Sequence, residues 1–123
     1  MPPLIPRQFG QQAEHLAQTF LKKKGYRIFE TNYCCRYGEI DIVAKHKKRI
    51  MFVEVKARRT EKFGAPVFAV APAKQQKISQ VALFYLQATQ WLNVAARFDV
   101  VSVSQTDATP LIEIVENSFE LTA

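Results

Sequence analysis

A chain of 123 residues, 48% of them hydrophobic and with a net charge of +6, is the size of one domain. That domain is predicted over residues 1–123, long enough to bury a core without staples. No apolar run approaches the length of a bilayer span and the Met1-Pro2-Pro3 start lacks a signal-peptide pattern, so no membrane partner and a cytoplasmic location are expected.

Pro6 opens a region that becomes helical by about Gly10. Ala13, Leu16, Ala17, Phe20 and Leu21 recur at i, i+3, i+4, i+7 and i+8, the stripe of an amphipathic helix that Gly25 stops. Glu14 lies at the margin of that stripe; either it is a solvated flank residue or its carboxylate leans towards a site on a sheet. Lys22, Lys23 and Lys24 fall in the last turn, where cations suit the helix dipole; that suffices to explain the run, with phosphate contact as the alternative. Tyr26 to Asn32 predicts a strand, with Tyr33 to Tyr37 extending it or linking it to Gly38. Cys34 and Cys35 are adjacent, which suits neither an ordinary disulfide nor a zinc motif, so they are read as reduced strand residues.

Two β-rich runs follow, Gly38-Glu39-Ile40-Asp41-Ile42-Val43 and Phe52-Val53-Glu54-Val55-Lys56, separated by the polar segment Lys45 to Arg49. They predict a β-hairpin. Arg59 to Pro72, with Gly64 and Pro66, predicts a loop. Ala73 to about Gln90 predicts a second helix with Ile78, Val81, Ala82, Tyr85 and Leu86 as its buried stripe. Phe98 to Val103 and Leu111 to Val115 predict two more strands, with Asp107 to Pro110 turning the chain between them. The second helix is a crossover that makes its flanking strands parallel. The order α-β-β-β-α-β-β describes an α/β fold with a mixed central sheet flanked by helices.

The hairpin carries the chemistry. Alternation sets Glu39, Asp41 and Val43 on one face, and Phe52, Glu54, Lys56 and Arg58 on one face of the next strand. A two-residue turn at Lys47-Lys48 places Asp41 opposite Glu54. Two converging carboxylates make a hard-oxygen site suited to Mg²⁺ or Mn²⁺. Lys56, two residues on, stands where it can orient a water for phosphodiester hydrolysis. Residues 45–62 hold eight Lys and Arg against two Glu and so account for the whole net charge. Basic charge of this kind suits a polyanion, and Lys45, Lys47, Lys48, Arg49, Arg58 and Arg59 are the candidate phosphate contacts. The bland alternative is that turn lysines keep a hairpin edge soluble. Arg97 and Asp99 share a strand face, for which an ion pair is a sufficient explanation, and Trp91 is read as core.

With Asp41 and Glu54-Val55-Lys56 on the central hairpin, the chain resembles the restriction-endonuclease-like PD-(D/E)XK nuclease superfamily. Over residues 10 to about 103 it looks like the YraN-like family of small bacterial proteins. Gly10, Ala13-Glu14, Gly25-Tyr26, Asn32, Gly38 to Asp41, Phe52 to Lys56, Arg58, Gly64, Lys74 and Arg97-Phe98-Asp99 carry that resemblance. It implies a restriction-endonuclease-like core, with Asp41 and Glu54 as metal ligands, Lys56 as the catalytic lysine and the Val55 carbonyl as a further ligand. Similarity to archaeal junction resolvases implies that Glu14 joins the metal site; Glu39 is either an outer ligand or structural. Ile40 stands where the superfamily has its nominal Pro, and no Gln-x-x-x-Tyr helix motif follows.

The function this implies is a Mg²⁺- or Mn²⁺-dependent nuclease on DNA, with branched or recombination intermediates as the substrate structures. Cutting a junction needs two sites, and for that substrate a homodimer is expected. The alternative is a nucleic-acid-binding module that keeps the fold without cutting. A third is a small adaptor whose acidic end, from Gln105 onward, meets a partner protein.

Overall fold

A computed structural model describes residues 6–58, 72–91, 94–104 and 110–119. The elements follow the expected order: α1 (Pro6–Lys23), β1 (Arg27–Cys35), β2 (Gly38–His46), β3 (Arg49–Arg58), α2 (Pro72–Ala88), β4 (Ala95–Ser104) and β5 (Leu111–Phe119). Several bounds move. Helix α1 starts at Pro6 rather than near Gly10, because Pro is at ease in a first helical turn, where its missing N–H would have no partner. The same reason makes Pro72 the first residue of α2 rather than the end of the preceding loop. Strand β1 takes in Tyr33 to Cys35, since that stretch pairs with Gly38 to Ile40. The rest of the expected loop, residues 59–71, and most of the expected turn, residues 107–109, lie outside the described residues.

Helix α1 ends as Gly25 predicts. Gly25 takes φ +92°, its N–H donates to Lys22 O at 3.0 Å, and Tyr26 N–H donates to Leu21 O at 3.0 Å. These are the paired bonds by which a left-handed residue satisfies the last carbonyls of a helix.

The five strands form one sheet in the order β1-β2-β3-β4-β5. Every pairing is antiparallel except β3 with β4, which α2 connects as a crossover. One helix covers each face. Ala13, Ala17 and Leu21 of α1 pack with Ile42, Met51, Val53 and Val101, while Ile78, Val81 and Tyr85 of α2 pack with Val43, Phe52, Phe98 and Val100. Both helical stripes are therefore those read from periodicity. Trp91 lies at the edge of the α2-side cluster against Phe29 and Tyr85, as core rather than a stacking surface.

Candidate active site

The β2–β3 hairpin closes as its length predicts. His46 pairs with Arg49 across Lys47-Lys48, and Lys47 takes φ +59° to make the tight turn. The ladder then runs back to Ile42 opposite Val53, and the next step in that register sets Asp41 opposite Glu54. Pairing between the two strands ends there, although β2 continues along β1 to Gly38 and β3 continues along β4 to Arg58. The centre of the sheet thus opens into a gap at the carboxylates.

Asp41 marks the point of parting. Ile42 and Ala44 pack on the α1 side and Val43 on the α2 side, but Ile40, which alternation would return to the α1 side, packs on the α2 side. Strict alternation, assumed from the sequence, therefore stops at Asp41. In place of a ladder bond, the Val55 backbone N–H donates to Asp41 Oδ2 at 2.8 Å.

The gap is the floor of a cleft of about 420 Å³ that draws on both layers. Gly10 and Glu14 of α1, Gly38 to Asp41 of β2, Val53 to Val55 of β3, and Lys74 and Lys77 of α2 are among its lining residues. Gly38, at φ +140°, opens β2 at its rim; a Cβ there would also stand 3.5 Å from Val81.

The electrostatics follow from this convergence. Burial pushes the Asp41 carboxyl up from 3.8 to about 6; the Val55 hydrogen bond opposes that, the Glu14 and Glu54 charges add to it, and Lys74 offsets it. Glu14 is thus close enough to act on Asp41 from α1. Glu54 is nearly buried, its side chain 13% exposed, and its Oε1 forms an ion pair with Lys74 Nζ. Its other oxygen, Oε2, is buried and has no hydrogen-bond partner among the described residues. A buried carboxylate oxygen without a donor is costly and calls for a cation or water.

The remaining predicted residues fall differently. Val55 lines the cleft. Lys56 is partly buried and is not among the lining residues; beside it on β4 lies Ser102, whose buried hydroxyl has no partner among the described residues. Glu39 lines the cleft and accepts a bond from Cys34 Sγ at 3.5 Å. Arg58 ends β3, and Arg59 lies outside the described residues. Lys45, Lys47, Lys48 and Arg49 are exposed at the other end of the hairpin. Six residues of extended strand separate Asp41 from Lys47, a distance of about 20 Å. Nearness in sequence is not nearness to the cleft.

Among the described residues the cations lining the cleft are instead Lys74 and Lys77, which were not expected at the site. Their spacing places them beside the buried stripe: Lys74 stands at i−4 from Ile78 and Lys77 at i−4 from Val81, although that alone does not say where the stripe docks. Arg97 and Asp99 form the expected ion pair, with Arg97 Nε donating to Asp99 Oδ1 at 3.0 Å and Tyr26 OH donating to Oδ2 at 3.1 Å. They serve the fold, away from the cleft.

The donor set fits a divalent ion of one kind. Among the described residues no three His, Cys, Asp or Glu are grouped as a ready metal cage. Mg²⁺ needs no cage: it commonly takes one or two carboxylates and fills its octahedron with waters and substrate phosphate. Asp41 and Glu54 Oε2 fit that pattern, with Glu14 within electrostatic reach.

The chain matches the model of "Uncharacterised protein family UPF0102" over residues 13–103. It is similar to a UPF0102 protein of Syntrophus aciditrophicus, 49% identical over 112 residues that cover 91% of this chain and 88% of that protein. A UPF0102 protein of Geobacter metallireducens is 45% identical over 115 residues, 94% of each chain.

Proposed function

We propose, for a chain that belongs to the uncharacterised protein family UPF0102, the function of a Mg²⁺- or Mn²⁺-dependent nuclease that hydrolyses DNA phosphodiester bonds on a restriction-endonuclease-like core. Branched or recombination intermediates are the substrate structures the superfamily resemblance suggests. The observation that carries the reading is the parting of β2 and β3, which brings Asp41 and Glu54 together in a cleft while leaving Glu54 Oε2 without a partner among the described residues.

In this reading Asp41 and Glu54 hold the cation, Val55 lends its carbonyl and Glu14 extends the site from α1. The chemistry that a divalent cation supplies here is Lewis acidity toward a phosphoryl oxygen and the attacking water. Val55 fixes the Asp41 carboxylate through its N–H, so that ligand is oriented before anything binds. Lys56 lies outside the cleft lining, but alternation sets it on the Glu54 face of β3, and the superfamily resemblance gives it the part of orienting the water and meeting the charge that develops on the phosphoryl oxygens. Hydrolysis joins the water oxygen to phosphorus and breaks the bond to a sugar oxygen, which leaves with a proton. Lys74, 55% exposed at its side chain, neutralises Glu54 at rest and is long enough to meet a phosphate at the cleft mouth. Contacts to backbone phosphates carry no base information, so weak sequence preference and steep salt dependence are expected.

A second reading, a nucleic-acid-binding module that does not cut, draws on one observation: Lys74 already neutralises Glu54 without a metal. Calorimetric titration with Mn²⁺ separates the two. The nuclease reading expects saturable binding that Asp41→Ala and Glu54→Ala both abolish; binding indifferent to both changes favours the second.

A further inference from the structure

We infer that the end of the molecule remote from the cleft is a binding surface for double-stranded DNA, holding backbone phosphates about half a helical turn from the phosphate presented to Asp41 and Glu54. The inference rests on the nuclease reading and adds to it a substrate class, a duplex arm of defined minimum length.

Two segments distant in sequence meet at this end. The turn after α1 brings Tyr26 to stack on His46, ring centroids 4.4 Å apart and planes 6° from parallel. The last turn of α1, with exposed Lys22, Lys23 and Lys24, is thereby fixed beside the β2–β3 turn. That turn presents Lys45, Lys47, Lys48 and Arg49, all exposed. Arg27 on β1 stands directly opposite Lys45 on β2. Arg27 lies over the Phe29 ring, 5.7 Å from its centroid, which holds the side chain but leaves its charge unneutralised, and like charges facing each other across a ladder cost stability.

Among the described residues none of these cations forms a salt bridge. The two carboxylates nearby do not neutralise them. Asp99 is buried and Glu116 is exposed, and both are engaged by Arg97, at 3.0 and 3.8 Å. The turn, Arg97 and Glu116 border a groove of about 510 Å³, in which Lys47, Lys48 and Arg49 leave the charge balance positive.

The spread of charge over two elements suits an extended polyanion better than a single phosphate. About 20 Å separates the turn from Asp41 along β2, and one DNA strand advances 3.4 Å per nucleotide, so the separation is about six nucleotides. A duplex is stiff over that length and holds its phosphates at that spacing, whereas a single strand does not. An arm shorter than about six base pairs on that side reaches the cleft and misses the basic end.

The test uses the full chain with Ca²⁺ in place of Mg²⁺, and fluorescence anisotropy on labelled duplexes whose arm grows from four to sixteen base pairs. The wild type is compared with a variant carrying Lys22→Gln, Lys23→Gln, Lys24→Gln, Lys47→Gln, Lys48→Gln and Arg49→Gln. All six positions are exposed, and an unchanged melting temperature verifies folding. The wild type is expected to gain about tenfold or more in affinity as the arm passes six base pairs, and the variant to lose that gain. Its salt slope should flatten by about 0.9 for each phosphate contact removed. Equal length dependence in both proteins, equal affinity for single-stranded DNA, or preference for phosphatidylglycerol vesicles over duplex would overturn the inference while leaving the cleft's reading intact. If neither protein binds or cuts any DNA, the nuclease reading falls and this inference with it.

Discussion

Replacing Asp41 by Asn should make the metal-free protein more stable at neutral pH. The Asn carbonyl can still accept from Val55 N–H, and the side chain keeps its volume, but the charge that burial, Glu14 and Glu54 oppose is gone. Moving a carboxyl from 3.8 to about 6 corresponds to about 3 kcal/mol between its two charge states. Imperfect amide geometry takes back part of that, so a net gain of about 1–3 kcal/mol is expected in EDTA at pH 7.5. The sign with pH is fixed by the direction of the shift. The folded state holds the Asp41 proton more tightly than the unfolded chain does. The stabilisation is therefore fully present below 3.8 and lost as pH rises through about 6. The advantage of Asn should accordingly shrink as pH falls from 7.5 and vanish near pH 4. Saturating Mg²⁺ should reverse the ranking, because an ion at about 1,000 times its dissociation constant stabilises the wild type by about 4.1 kcal/mol, more than the gain from Asn. Thermal and urea unfolding across pH, with EDTA or Mg²⁺, measures all of this. An Asn variant that is less stable than wild type in EDTA at pH 7.5, by an amount indifferent to pH, would refute the reasoning. Asp41 would then be a structural anion stabilised by its hydrogen bond.

Lys74→Ala removes the cation that competes for Glu54, so Mn²⁺ affinity by calorimetry should rise several-fold; unchanged or weaker binding would separate Lys74 from the metal site. Arg97→Met leaves the fully buried carboxylate of Asp99 without its cation, at a cost of about 3–5 kcal/mol. Urea unfolding reads that loss, and a loss below about 1 kcal/mol would contradict it. Gly25→Ala should cost about 1 kcal/mol, since the position requires φ +92° while a Cβ there meets only His46 at 3.8 Å; the strain is conformational rather than steric.

Local patterns carried much of this structure. The stripe from Ala13 to Leu21 and the one from Ile78 to Leu86 are periodicities that need no knowledge of the partner surface. The register that sets Asp41 against Glu54 follows from a two-residue turn and counting. What the chain did not disclose depends on where elements land. The parting of β2 and β3 at Asp41 comes from each strand following its outer neighbour, β1 or β4, and no pattern within Glu39 to Val43 announces it. Lys74 and Lys77 reach the cleft because the crossover helix returns over the carboxylate end of β3. The position of the basic turn has the same origin: Lys47 lies close to Asp41 in sequence, yet an extended strand carries it to the far end of the sheet.

The most direct measurement is cleavage of labelled linear, flapped, single-stranded and four-way-junction DNA with Mg²⁺ or Mn²⁺, wild type and Asp41→Ala side by side. The wild type should cut in a metal-dependent way, EDTA should stop it, and Asp41→Ala should leave the DNA intact. Equal cutting by both proteins would expose a contaminant. No cutting by the wild type on any of the four, with duplex binding retained, would contradict the central claim and leave a binding module.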